Sequence, residues 1–299
     1  MIADSRSANL GAALFNRAYD LIDCAPAQRD FKRARELFSQ AAAAGNLDAV
    51  RMVGNFAARG IAQRRDWTAA LASYRHVATV DAQTERTIKL IDSMVLTSDG
   101  NPVTAAQLEQ ISAKPRIARI AQFLTADECD MLISLSAPMS RPAQVVDPYS
   151  GRLIHDPVRK AHSAFFGILS ESPFVHAINR RIALASSTDV DQGEPLQILR
   201  YRVGDEYRPH VDNVAGDDND RLITFLICLD DRFSGGETEF PLAGVKVRLE
   251  KGAAMMFYNC QGNQPDPLAV HAGLPVTKGE KIIASRWIRK RRFSPWPDQ

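Results

Sequence analysis

His210 and Asp212 stand two positions apart in Tyr207-Arg-Pro-His-Val-Asp; His271 follows in Ala269-Val-His-Ala-Gly, and Lys281 comes ten residues after it. A β-strand sends side chains i and i+2 to one face, so His-x-Asp delivers one neutral nitrogen and one anionic oxygen to the same point. A third ligand has to come from elsewhere. His271, 59 positions beyond Asp212, supplies it if the intervening segment folds back as antiparallel strands. Two histidines and one carboxylate on one face of a metal leave the opposite positions open, the ligand set of a non-haem Fe(II) centre that binds both a cosubstrate and dioxygen. Lys281 is a compact cation suited to anchor an acidic cosubstrate beside it.

The elements that must position these residues are short strands. After Pro195 the chain alternates apolar runs with glycine, proline and aspartate turns, as in Leu222 to Leu229, Val245 to Leu249, Ala253 to Tyr258 and Lys281 to Ile288. Such spacing predicts an all-β barrel or jelly roll. In the last of these strands residues 281, 283, 285 and 287 share a face, so Lys281 and Trp287 both point inward. Upstream, Ile117 to Phe123 reads as a strand, Thr125-Ala-Asp-Glu opens a helix with a threonine cap and an acidic first turn, Phe174 to Ala185 is a further helix, and a short helix is expected at Thr104 to Gln110.

The first 95 or so residues differ in texture: rich in alanine, arginine and leucine, poor in glycine, with apolar residues three and four apart. Asp30 to Ala42 aligns without gaps to Asp66 to Ala78, an offset of 36, with Ala34 matching Ala70 and Phe38 matching Tyr74. Small residues at these places let helices approach closely, and the aromatics fill the grooves between them. This stretch resembles the tetratricopeptide superfamily, particularly its longer bacterial variety with Ala43-Ala44-Gly45 after the first helix. The organisation expected is therefore an α+β two-domain chain: helical repeats over 1–95, a linker over 96–114 rich in turn formers, and a double-stranded β-helix (jelly-roll) domain with flanking helices over 115–299.

With 45% hydrophobic and 24% charged residues, the 299-residue chain has the composition of a globular protein with a well-packed core. A formal charge of +2 gives no argument for a nucleic-acid partner, and no apolar run is long enough to span a bilayer. Cys24, Cys129, Cys228 and Cys260 are scattered and read as reduced thiols, so a cytoplasmic protein with neither nucleic-acid nor membrane partner is expected.

The motifs Tyr201-x-x-Gly-x-x-Tyr-x-x-His-x-Asp, Arg221-Leu-Ile-Thr-Phe-Leu, Gly235-Gly-Glu-Thr-Glu-Phe-Pro, Lys251-Gly, Phe257-Tyr-Asn and His271-Ala-Gly-Leu-Pro-Val-x-x-Gly-x-Lys281 occur in this order. From about residue 115 to 293 the chain resembles the prolyl 4-hydroxylase group of 2-oxoglutarate- and Fe(II)-dependent dioxygenases. That resemblance implies Fe(II) held by His210, Asp212 and His271, 2-oxoglutarate anchored by Lys281, and O2 as the oxidant, with ascorbate as a possible reductant. It also implies that Tyr201 hydrogen-bonds the cosubstrate and that Thr224 places a hydroxyl beside its distal carboxylate; Trp287, on the Lys281 face of its strand, is expected to wall the pocket.

The implied substrate is a prolyl residue in a peptide or protein, held by the helical repeats, with the oligomeric state left open. A free amino acid, another side chain, or a catalytically silent helical-repeat scaffold are the alternatives. Arg159, after Asp147 and Gly151, falls in the substrate-facing region, where Arg-Lys-Ala replaces the more usual Arg followed by Thr or Ser; Ile282 stands where an aromatic often follows the lysine. Gly235-Gly236 reads as a turn that needs glycine. The basic run Arg286, Arg289, Lys290, Arg291, Arg292 reads as a solvated strand end, and His76, His155, His162 and His176 as structural or exposed.

Overall fold

The computed structural model describes residues 2–146, 153–155, 158–213, 217–262 and 264–293; Asp147 and Gly151 lie outside the described residues. Among the described residues seven α-helices run in chain order as α1 (Ile2–Asp20), α2 (Phe31–Ala43), α3 (Leu47–Arg59), α4 (Trp67–Ala78), α5 (Ala82–Ser93), α6 (Ala126–Ser136) and α7 (Pro173–Ser186). Among the described residues the chain divides into two compact units, one of residues up to 104 and 166–181, the other drawn from 105–165 and 182–293.

In the first unit, α2 and α4 start 36 residues apart, each behind an aspartate cap: Asp30 accepts from the Arg33 amide and Asp66 from the Ala69 amide, both at 2.8 Å. Asn46 and Asp81 cap α3 and α5 in the same way, each cap contributing about 1 kcal/mol. The aligned residues are the packed ones. Ala34, Ala70, Phe38 and Tyr74 are all buried, with Phe38 edge-on to Phe56 at 5.6 Å. At Gly54 an added Cβ would stand 3.0 Å from the Tyr74 ring, which is how close α3 comes to α4.

Residues 166–181 group with this unit although they fall in the middle of the stretch assigned by sequence to the catalytic domain. The cause is a buried polar cluster. Arg59, at the end of α3, pairs with Glu171 at 3.3 Å and donates to the Ile168 carbonyl at 3.1 Å, while His176 Nδ1 lies 2.7 Å from Glu171. Burial holds the His176 imidazole down to about 4, so it stays neutral.

In the second unit twelve strands form two antiparallel sheets: β1 (Glu109–Ala113), β2 (Arg116–Ile120), β3 (Arg141–Pro142), β4 (His162–Phe166), β5 (Leu196–Tyr201), β6 (Tyr207–His210), β7 (Arg221–Asp230), β8 (Thr238–Phe240), β9 (Val245–Val247), β10 (Ala254–Tyr258), β11 (His271–Gly273) and β12 (Lys281–Arg289). The larger sheet has the order β1-β2-β10-β7-β12-β5-β4-β3 and the smaller β9-β8-β11-β6. One core joins them, with Leu199, Tyr201, Leu226, Phe257 and Ile283 from the larger sheet meeting Phe240 and Val247 from the smaller. Helices followed by an antiparallel sheet domain is the order the sequence led us to expect.

Two local expectations are corrected. No helix forms at Thr104 to Gln110; that stretch is mostly exposed, too short to hold a helix without burial, and its end is taken up by β1 pairing with β2. The basic run is also not simply solvated. Arg286 and Arg289 are buried, Arg286 donating to the Glu194 carbonyl at 3.0 Å and Arg289 to the Glu194 carboxylate at 2.7 Å. Helix α6 starts as expected, with Thr125 and Glu128 forming a reciprocal capping box. Gly235 and Gly236 have φ of +70° and +69°, and a Cβ on Gly235 would stand 2.4 Å from the Pro275 carbonyl oxygen, so the turn does need glycine. No described helix is long and apolar enough to cross a membrane, and all four cysteines are unpaired.

Candidate metal centre and adjoining pocket

Strand pairing, not chain proximity, assembles the site. His210 lies directly opposite His271 across β6 and β11, Lys281 opposite Tyr201 across β12 and β5, and Trp287 opposite Thr224 across β12 and β7. Residues facing one another across an antiparallel pair carry neighbouring side chains, so three cross-strand pairs bring six of the seven residues singled out by sequence into three contacts. Asp212, just past the end of β6, is the seventh.

The ligand atoms of His210, Asp212 and His271 all lie within 4.8 Å of one another. The two carboxylate oxygens of Asp212 stand 3.6 Å from His210 Nε2 and 3.6 Å from His271 Nε2 respectively. Each imidazole has its Nδ1 on the carbonyl two residues earlier: Arg208 O at 2.8 Å for His210 and Ala269 O at 3.0 Å for His271. That bond fixes the tautomer and leaves Nε2 unprotonated for a metal, the usual outer support of a metal-bound histidine. Tyr207 adds support by stacking on His210, ring centroids 3.4 Å apart.

Charge states suit the same purpose. Burial works to raise the Asp212 carboxyl, but His271, His210 and the Thr224 hydroxyl offset it and hold the group well below the usual carboxylate range. Burial holds His271 down to about 4, so it is a neutral imidazole at neutral pH. An anionic oxygen and neutral nitrogens are the forms in which these side chains bind a divalent metal. The donor set, two nitrogens and one oxygen with one side open, fits Fe(II).

A cavity adjoins the triad and is lined by Tyr201, Thr224, Lys281 and Trp287 as well as all three ligands. The inward face of β12 is the one the alternation gave: Lys281, Ile283, Ser285 and Trp287 all line it. Lys281 is buried, its ammonium donating to the Gly236 carbonyl at 2.6 Å, and desolvation pulls it down to about 8. Trp287 Nε1 is buried without a hydrogen-bond partner, a donor left over for a bound group. The Thr224 hydroxyl is engaged with the metal ligand: it donates to Asp212 at 2.5 Å and accepts from Asn259 at 3.0 Å.

Several site residues were passed over in the sequence. Asn259 was visible only as the end of Phe257-Tyr-Asn. Thr238, within the Gly235-Gly236 motif, lines the cavity. Arg221 lies flat over the Trp287 ring at 3.6 Å, donates to the Asp212 carbonyl at 3.3 Å and pairs bidentately with Glu194 at 2.7 and 3.0 Å. Glu194, held also by Arg289, belongs to no motif, and no local signal could have found it. Arg159 lies at the same cavity, its guanidinium 5.3 Å from the centre of the Tyr207 ring.

Comparison with known proteins gives a consistent result. Residues 196–289 match the model of the 2OG-Fe(II) oxygenase superfamily. Prolyl 4-hydroxylase 1 of Arabidopsis thaliana is 34% identical over 206 residues, covering 62% of this chain and 73% of that protein, and prolyl 4-hydroxylase 2 of the same plant is 31% identical over 227 residues, covering 67% and 75%. Among solved structures, the viral collagen prolyl hydroxylase of Paramecium bursaria Chlorella virus-1, in its 2OG complex, aligns at 28% identity over 59% of this chain and 97% of that one, with a TM-score of 0.47.

Proposed function

The chain belongs to the prolyl 4-hydroxylase group of 2-oxoglutarate- and Fe(II)-dependent oxygenases, and from that membership we propose that it hydroxylates a prolyl residue within a peptide or protein, releasing succinate and CO2. The observation that carries this reading is the joint one: a metal triad of two histidines and an ionised aspartate opening onto a cavity that also holds a buried lysine. Bound Fe(II), with 2-oxoglutarate and O2, supplies the oxidising chemistry.

The chain's own residues bind, orient and shield. His210, Asp212 and His271 hold the metal, and the carbonyls of Arg208 and Ala269 keep both imidazoles in the ligating tautomer. Lys281 seats the distal carboxylate of 2-oxoglutarate, with Tyr201 facing it across the strand pair. Trp287, held flat by Arg221, walls the cavity and keeps bulk water from the metal side. Thr224 acts on Asp212 and so reaches the cosubstrate only through the metal. Arg159 lines the same cavity and is read as a substrate-facing residue, and ascorbate is read as the reductant for turnovers that fail to reach substrate.

The sheet domain is read as a double-stranded β-helix because its two antiparallel sheets share one core. The helices α2 to α5 are read as tetratricopeptide-like repeats on the strength of matching starts and aspartate caps 36 residues apart, and helical hairpins of this kind offer an extended surface to a polypeptide. Incubation with Fe(II), 2-oxoglutarate and proline-containing peptides, followed by mass spectrometry, is the test. A peptide gaining one oxygen supports the proposal; free amino acid hydroxylation with untouched peptides overturns it. Succinate release no higher than an equal background in wild type and His210→Ala would point to a silent scaffold instead.

A further inference from the structure

Asn259 stands one contact behind the metal ligands. Thr224 lies opposite Phe257 across β7 and β10, and Asn259, two residues beyond Phe257, reaches it diagonally, with Nδ2 3.0 Å from the Thr224 hydroxyl. Its main chain is pinned on both sides: the Asn259 amide donates to the Leu222 carbonyl, and its carbonyl accepts from the Asp266 amide, both at 2.9 Å. Both side chains are closed off from solvent, Thr224 at 2% and Asn259 at 1% exposure, and Asn259 is not among the residues that line the cavity. Its route to the metal ligands runs through Thr224.

Charge sets the order of donors along this route. The ionised Asp212 can only accept, and a hydroxyl has one hydrogen to give, so Thr224 must spend it on Asp212 Oδ2 at 2.5 Å. The hydroxyl oxygen then needs a donor, and Asn259 Nδ2 is the one that meets it. Turned the other way, the amide would present its oxygen to Thr224 and draw the hydrogen away from Asp212. The orientation has a cost: Asn259 Oδ1 is buried and accepts no hydrogen bond among the described residues. A buried acceptor left unmet works against the fold, whereas an apolar side chain of similar size would leave nothing unmet. An amide at this position is explained by what its Nδ2 does.

We propose that Asn259 is a positioning residue for the metal centre: its amide holds the Thr224 hydroxyl in the sense that donates to Asp212, and so keeps the carboxylate aimed between His210 and His271. This role rests on reading the triad as the metal site. The two carboxylate oxygens stand 3.6 Å from His210 Nε2 and His271 Nε2, and Thr224 holds the one that faces His271. Without Asn259 that hydroxyl is free to turn from Asp212 to another acceptor, and the carboxylate loses the partner that fixes its rotation. Asn259 touches neither metal nor cosubstrate, so its removal acts on metal affinity at the expense of no contact in the cavity.

The test is a calorimetric titration of Co(II), a stand-in for Fe(II) that air does not oxidise, into the metal-free full chain. Asn259→Leu should raise the Co(II) Kd by about threefold to tenfold, the lower part of the range for an outer partner of a ligand, because Thr224 is still present. The denaturant midpoint of the metal-free variant should equal or exceed that of the wild type, since the unmet acceptor is gone; a purely structural asparagine would lower it. In a Thr224→Val background Asn259→Leu should weaken Co(II) no further, while in Thr224→Ser, which keeps the hydroxyl, it should weaken it as in the wild type. Should leucine prevent folding, Asn259→Ala, smaller in every direction, is put through the same cycle. Equal Co(II) affinity in wild type and Asn259→Leu, or an undiminished further loss on top of Thr224→Val, overturns the positioning role and leaves the metal site standing. A wild type that binds no Co(II) overturns the metal-site reading itself.

Discussion

His210 and His271 face each other across one antiparallel strand pair, ring centroids 4.2 Å apart, and each rests its Nδ1 on the carbonyl two residues before it. The metal site is thus a property of strand register. A one-residue slip of β11 would turn His271 away from Asp212 and leave two ligands. Either His210→Ala or His271→Ala should lose stoichiometric metal binding and Fe(II)-dependent succinate release while keeping the far-UV circular dichroism of the wild type. Metal analysis of the purified variants checks the first loss and a succinate assay the second.

Thr224 donates to Asp212 and takes a bond from Asn259, so its removal should act on the metal. Thr224→Val is expected to weaken metal affinity by roughly 10- to 100-fold, the usual effect of losing an outer partner of a ligand. At saturating metal its Kd for 2-oxoglutarate should stay near that of the wild type. A raised Kd with unchanged metal affinity would instead support the role that family resemblance suggests, a hydroxyl at the distal carboxylate.

The pH dependence of cosubstrate binding follows from Lys281, whose burial brings it from 10.5 down to about 8. Below that value the ammonium is charged and ready for a carboxylate. As pH rises through about 8 the free protein loses the charge, so 2-oxoglutarate affinity should fall, approaching about tenfold per pH unit beyond it. Stability runs the other way: between about 8 and 10.5 the unfolded chain binds the extra proton, so this group's unfavourable contribution is relieved as pH rises. Titrations of the metal-loaded protein at pH 7, 8 and 9 check the first trend; affinity that does not fall would remove Lys281 as the anchor.

Glu194 accepts from both Arg221 and Arg289, and all three side chains are less than one-fifth exposed. Glu194→Gln takes the acid from the partly buried Arg221 and leaves the buried Arg289 only Asp217, and should destabilise the protein by about 3 kcal/mol. It should also loosen Trp287, since Arg221 spans the two. A fall in denaturant midpoint together with a shift in tryptophan fluorescence is the expected pair of results; a midpoint equal to that of the wild type would show that the cluster carries no net stability.

The chemistry was legible because strands alternate. The row 281, 283, 285, 287 is a period-two statement that the structure bears out, and His-x-Asp converges on one point although β6 ends at His210 and Asp212 lies just beyond it. The start of α2 and of α4 was legible from aspartate followed by an aromatic. What escaped depends on contacts far apart in sequence. Glu194 meets Arg289 across 95 positions, and nothing near either residue announces the other. For want of that partner the arginines at the end of β12 read as solvated. Arg59 and Glu171 likewise meet only in the fold, which is why residues 166–181 were assigned to the sheet domain by sequence.

That last segment sets a rule for recombination. A part joined to its neighbour by one tether can be exchanged by a single crossover, but among the described residues the helical unit draws on two separate stretches of the gene, up to residue 104 and 166–181. A chimera spliced only near residue 100 would carry off Arg59, the ion partner of Glu171 at 3.3 Å, and leave Glu171 and its bonded His176 behind. Natural swaps of the front half should therefore survive only when the stretch around α7 changes hands with it.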